Sequence, residues 1–265
     1  MRTFDWLRRQ LKDRRSRRQV VSAWFVTPDP ADDAGAGAVA GVAGVYLANP
    51  KAASSGIRNL IRDRESQRLF GQPAGEDRTR RARVERRIKQ SLTPAAAARL
   101  RDTHWPFSFV RNPLTRLHSC YRDKLVNAAS KRDRCSLSVY GIEFGISFDE
   151  FVRRVADIPD DRADQHFRSQ HTFLTHGDEL LVHHLGQLEH FDDHWRAIQS
   201  RLGLTPPKHE HRVSGPPVAA RQLPLTRAAA ERARQRYQRD IELFGYHDQI
   251  ATLIEDLPPE CTSKR

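Results

Sequence analysis

Short apolar runs alternate along this chain with stretches in which apolar residues recur every three or four positions. In GVAGVYLANP (Gly41–Pro50), Val42, Val45, Tyr46 and Leu47 predict a buried strand, and Ile57, Leu60, Ile61 and Leu69 beyond it suit a helix. A second unit of this kind follows. PFSFV (Pro106–Val110) reads as a strand, Asn112-Pro113 opens a helix, and Leu114, Leu117, Cys120, Tyr121 and Leu125 recur at helical spacing. Between the two lie a basic helix, Arg78–Lys89, with Val84 and Ile88 four apart, and an Ala-rich helix starting at Thr93-Pro94.

The same reading predicts a helix over Ser147–Ala156, opened by Ser147 with Glu150 as a capping box. It predicts a strand over Glu179–Leu185, a helix over Phe191–Leu202 stopped at Gly203, and one long helix over Leu225–Phe244. Residues 1–30 read as a basic amphipathic arm on which Trp6, Leu7 and Leu11 share a face. Strands alternating with helices imply an α/β fold with a mostly parallel central sheet flanked by helices.

Composition narrows the class. Among 265 residues, 45 Lys and Arg against 33 Asp and Glu leave a net charge of +12. Three cysteines, Cys120, Cys135 and Cys261, are too few and scattered for a disulfide scaffold or a four-cysteine zinc site. The nearest approach to a membrane span, Ala34–Ala48, is short, and Met1–Gln19 is charged throughout with no apolar segment after it. These features predict a soluble cytoplasmic protein whose basic arm suits an anionic membrane surface. The charge, concentrated in Arg8–Arg18 and Arg78–Lys89, also admits a polyanion-binding module. No zinc-finger spacing or aromatic RNA-binding motif accompanies it, so nucleic acid is the less favoured partner.

Two loops carry the chemistry. ANPKAASSG (Ala48–Gly56) runs from strand end to helix start through small residues, so successive backbone N–H groups can face an anion, with Lys51 as a mobile cation and Ser54 and Ser55 as hydroxyl donors. The Gly-Lys-Ser/Thr triplet of nucleotide triphosphatases is absent. In the second loop Arg111 ends a strand and Ser119 lies eight residues on, a planar fork and a hydroxyl suited to a second phosphate.

This pair of loops resembles the sulfotransferases that use 3′-phosphoadenosine 5′-phosphosulfate (PAPS), above all the carbohydrate sulfotransferases of the chondroitin, dermatan and heparan 2-O type. The resemblance implies a P-loop-like sulfotransferase fold. Pro50-Lys51-Ala52-Ala53-Ser54-Ser55, continued by Gly56 and Arg58, would grip the 5′-phosphosulfate, and FVRNPLTRLHSCYRDK would hold the 3′-phosphate through Arg111 and Ser119. DQHFRSQ (Asp164–Gln170) is similar to the family's His-aromatic-x-x-Gln segment, LGQLEHFDDHW (Leu185–Trp195) to its strand-to-helix passage, and RYQRDIELFGY (Arg236–Tyr246) to its closing helix. The likeness spans residues 42–247. Together with the basic start and the polar end of the chain, it suggests an arm over 1–35, a sulfotransferase domain over 36–250 and a tail over 251–265. Ile57 and Asn59 stand where the family continues with an aromatic and further cations, and Asn112 where it places an aspartate.

The implied reaction moves a sulfuryl group from PAPS to a carbohydrate or other hydroxyl, releasing 3′,5′-adenosine bisphosphate, with no metal required. Lys51 and the N–H groups of Ala52–Ser55 would stabilise the leaving phosphate. His166 is the leading base, with His104 and Glu189 as alternatives. Arg168 and the basic helix offer cations to an acidic glycan, and Ser214 in HRVSG (His211–Gly215) a further 3′-phosphate contact. His190 and His194 share a helix face, but no HExxH pattern supports a metal.

Overall fold

The computed structural model of the chain describes residues 20–28, 43–127, 137–206 and 223–257. In chain order these form β1 (Val21–Val26), β2 (Gly44–Leu47), α1 (Ser54–Phe70), α2 (Arg78–Ile88), β3 (Lys89–Leu92), α3 (Pro94–Arg99) and β4 (Trp105–Val110). There follow α4 (Pro113–Tyr121), α5 (Phe148–Ala156), α6 (His171–Leu174), β5 (Thr175–His176), β6 (Glu179–Leu180), β7 (His184–Gln187), α7 (Phe191–Leu202), α8 (Arg227–Arg236), α9 (Gln238–Phe244) and α10 (His247–Glu255). The chain divides into two compact units.

The sheet unit holds the described residues up to Val110 and those from Phe173 to 206. Its five-stranded sheet has the order β3-β1-β2-β4-β7. β2–β4 and β4–β7 pair in parallel, with Tyr46 opposite Phe107 and Phe109 opposite Gly186. β1 pairs antiparallel with both β2 and β3. The sheet is therefore mixed, and the expected mostly parallel arrangement gives way. The cause is β1, which lies in the stretch read as a basic arm. Its run of Val, Trp and Phe ended by Pro28 has strand chemistry, and it inserts between β3 and β2.

Residues 106–110 of β4 are buried without a break, as expected of a strand covered on both faces. Its Phe109 stacks on Phe191 (4.8 Å between centroids) and on Trp195 (6.0 Å) from α7. Ile57 and Ile61 of α1 and Val84 and Ile88 of α2 complete this core with Trp24, Tyr46 and Phe107. The predicted strand over Glu179–Leu185 is two elements, with β6 turned onto β5 and β7 taken into the main sheet.

The helical unit holds the described residues from Arg111 to Thr172 and from 223 onward. Asn112 Oδ1 caps α4, accepting from Leu114 N at 3.0 Å, and Ser147 Oγ caps α5, accepting from Glu150 N at 3.2 Å. Phe148, Phe151, Val152 and Val155 form the buried face of α5. Asp149 joins α5 to the start of α8 by accepting from Thr226 N (2.8 Å) and Thr226 Oγ1 (2.6 Å). The predicted long helix is broken at Tyr237, whose backbone leaves helical geometry (φ −107°, ψ 20°) where its hydroxyl donates to Phe167 O.

Candidate functional site

In the sheet unit, the turn between β2 and α1 is held from beneath. Buried Asn49 donates Nδ2–H to Phe109 O (2.9 Å), and Ser108 Oγ donates to Leu47 O (2.6 Å). The Tyr46 hydroxyl is buried beside Asn49 and Ser54, and burial pushes its pKa up to about 12, so it stays neutral. On this support the turn takes a costly shape. Lys51 (φ 71°) and Ala53 (φ 56°) both occupy the left-handed region, the only described non-glycine residues to do so. Each position costs on the order of 1–3 kcal/mol, and such strain persists only where the surroundings over-determine it.

The turn delivers the chain into a helix of 17 residues whose N-cap, Ala53, makes no side-chain hydrogen bond and whose first turn has no acidic residue. The leading N–H groups thus receive no bond from the N-cap side chain, and the helix dipole adds partial positive charge there. Ala52 and Gly56 are buried and present no bulk. An anionic oxygen fits this donor set. Ser55 is exposed, whereas Ser54 turns inward. Arg58 lies back along the first turn, donating to Ser54 O (3.0 Å), with its guanidinium 5.7 Å from the Trp24 ring.

The helical unit carries the second cluster. Arg111 directly follows β4. Its N–H donates to Gln170 Oε1 (3.0 Å), its carbonyl accepts from Gln170 Nε2 (2.7 Å), and its Nε–H donates to Thr115 Oγ1 (3.1 Å). Thr115 and Ser119 are four apart on α4 and share a face with the approach of Arg111. Burial, aided by the positive charges of Arg122 and Arg111, holds the His118 pKa below its ordinary value. The arginine fork, the Ser119 hydroxyl and further cations make a phosphate-type donor set, while the Thr115 hydroxyl donates to Asn112 O at 3.2 Å.

His166 lies in the same unit. Its Nδ1 is 2.6 Å from Asp164 Oδ1, which also accepts from His166 N at 2.9 Å. Arg116, 1% exposed, brackets this turn by donating to Gln165 O (3.2 Å) and Arg168 O (2.8 Å). Asp160 accepts from Ser169 N (2.8 Å) and from Arg236 Nη2 (2.6 Å). Burial alone would raise the Asp160 pKa; the bonds from Arg236 and Ser169 outweigh it and hold it below the usual carboxylate range.

A family model described as the sulfotransferase family matches residues 45–247. The chain belongs to the sulfotransferase family. No curated protein and no solved structure matches it significantly. Membership makes this protein a transferase of sulfuryl groups in general, and the match takes in both anion loops and the His166 turn.

The other predicted site residues of this sulfotransferase are placed as follows. His104 precedes β4, with Nδ1 2.8 Å from Thr103 Oγ1 and its ring edge-on to Phe25. Glu189 is exposed on a short 3₁₀ turn after β7. Arg168 turns back on its own loop, donating through Nη2 to Ala163 O at 2.8 Å. α2 buries only Val84 and Ile88, leaving Arg78, Arg83, Arg86 and Arg87 in solvent. Ser214, Cys135, Cys261, most of the arm and the end of the tail lie outside the described residues. His190 is exposed, and His194 meets His184 edge-on. Among the described residues no group of three or more His, Cys, Asp or Glu is arranged to hold a metal ion, and no helix is long and apolar enough to cross a membrane.

Sequence reading gave no role to Thr115, Arg116, Asp164, Gln170 or Asp240, although the last three lie in the segments Asp164–Gln170 and Arg236–Tyr246 that it singled out. Arg116 carried a signal: it stands four residues before buried Cys120, which sets it on the apolar face of α4. The partners of Gln170 and Asp240 are 59 and 70 positions away, and periodicity carries no such information.

Proposed function

We propose that this sulfotransferase moves the sulfuryl group of PAPS to a hydroxyl of a carbohydrate or glycan-like acceptor. The observation that carries the reading is the strained Lys51–Ala53 turn opening an uncapped helix, because a chain has little reason to maintain such a turn without an anion to serve. The donor supplies an activated sulfuryl group on a phosphate oxygen. Lys51 and the N–H groups of Ala53, Ser54 and Ser55 bind that phosphate and stabilise the charge it gains as the S–O bond breaks, whereas the Ala52 N–H donates to Asn49 O at 3.3 Å within the turn. Arg111 and Ser119 hold the 3′-phosphate. The acceptor oxygen forms the new S–O bond, and its proton passes to Nε2 of His166, whose Nδ1–H is held by the Asp164 carboxylate. The released nucleotide is 3′,5′-adenosine bisphosphate. The likeness of Pro50–Ser55 and Asp164–Gln170 to the carbohydrate sulfotransferases supports the choice of acceptor class.

Calorimetric titration with 3′,5′-adenosine bisphosphate tests the donor assignment. Wild type binds tightly, and Arg111→Ala loses about 2–3 kcal/mol, the worth of a charge-assisted bond in a sheltered site. Absence of binding by folded wild type overturns the reading. His166→Ala, assayed for turnover at saturating donor, tests the base.

A further inference from the structure

Arg111 is anchored at both ends by groups to which the family resemblance assigns no such part. Gln170, 0% exposed, pairs its amide with the Arg111 peptide in both directions, accepting from N–H at 3.0 Å and donating to C=O at 2.7 Å. At the far end, Thr115 Oγ1 accepts from Arg111 Nε at 3.1 Å while donating to Asn112 O at 3.2 Å, which sets the direction of the hydroxyl. Gln170 is itself locked. Asp240, also 0% exposed, accepts from Gln170 N (2.7 Å) and His171 N (2.9 Å) and lies 2.7 Å from His171 Nδ1. The amide therefore cannot rotate away without stranding several buried polar groups.

We propose that Gln170 and Thr115 are positioning residues that fix Arg111 for recognition of a nucleotide 3′-phosphate, with Asp240 of the closing helix as their anchor. Gln170 sets where the arginine leaves the backbone, and Thr115 sets the plane of the guanidinium. Discrimination for a 3′-phosphate thus resides in the pairing of three segments distant in sequence. This inference rests on the assignment of Arg111 to the 3′-phosphate made above.

The test is the ratio of affinities for adenosine 3′,5′-bisphosphate and adenosine 5′-monophosphate, measured by calorimetry. The two probes differ only in the group Arg111 would hold. Wild type prefers the bisphosphate. Gln170→Met, similar in length but unable to hydrogen-bond, lowers that preference about tenfold, and Thr115→Val lowers it by a smaller factor, while monophosphate affinity stays unchanged. Adding Gln170→Met to Arg111→Ala lowers the ratio no further, since both act through one group. A general structural role would weaken both nucleotides together. Retention of the wild-type ratio in Gln170→Met overturns the proposal and leaves the donor assignment intact. Should Gln170→Met fail to fold, Thr115→Val decides by the same criterion. A wild type that does not distinguish the two nucleotides overturns the 3′-phosphate reading and this inference with it.

Discussion

Replacing Arg116 by methionine removes the clamp on the turn that carries His166. The guanidinium is 1% exposed and donates to Gln165 O and Arg168 O, the carbonyls on either side of that histidine. Burial pulls its pKa down from the ordinary arginine value, against the pull of Tyr237, Asp240, Cys120 and Asp160. Methionine fills most of the volume but leaves two partly buried carbonyls without this donor, each at a cost within about 1–3 kcal/mol. Relief of the buried charge offsets part of this, because a desolvated guanidinium is itself expensive. The expected net loss is about 3 kcal/mol. In a domain of this size that lowers Tm by roughly 6–12 °C. The assay is thermal unfolding followed by far-ultraviolet circular dichroism. Tryptophan fluorescence is less suitable, because three of the four tryptophans, Trp24, Trp105 and Trp195, belong to the sheet unit. Turnover should fall with stability, since the carbonyls flanking His166 lose their common donor. A loss under about 1 kcal/mol with unchanged turnover would refute the argument, because either carbonyl left bare should cost at least that.

Two further substitutions probe other parts of the fold. Asp160→Asn should destabilise the protein by about 1–3 kcal/mol at neutral pH. Because the folded pKa of Asp160 is depressed, its contribution is present above the unfolded value, about pH 4, and is lost as pH falls through the folded one. Urea denaturation of wild type and variant should therefore differ at pH 7 and converge in acid; a difference independent of pH would exclude the carboxylate as its source. Gly186→Ala should cost about 1–3 kcal/mol, because a Cβ at 186 would sit 2.5 Å from Phe109 Cε1 and 3.0 Å from His194 Cβ in the stacked core. Tryptophan fluorescence in urea reads this one directly, and an unchanged midpoint would mean the aromatic stack yields easily.

What could be read along the chain was what is decided within a few residues. The start of α4 at Asn112-Pro113, the Ser147 hydroxyl that caps α5 by accepting from Glu150 N, and the end of α7 at Gly203 all satisfy local backbone groups, so the residues themselves specify them, and the small residues of Ala48–Gly56 mark the passage from strand to helix. The same locality explains why Lys51, Arg111 and Ser119 stood out as anion-binding candidates. Periodicity reports which side of an element is buried, never what it is buried against. Tertiary structure therefore decided the strand order that draws Val21–Val26 into the sheet and makes it mixed. It decided the separation of Glu179–Leu180 from His184–Gln187, because one segment finds β5 and the other β4. It set the break at Tyr237, where the turn around His166 offers the Phe167 carbonyl to the hydroxyl. It also paired Gln170 with Arg111 and Asp240 with Gln170, since a buried amide or carboxylate must find its partners wherever the packed chain brings them.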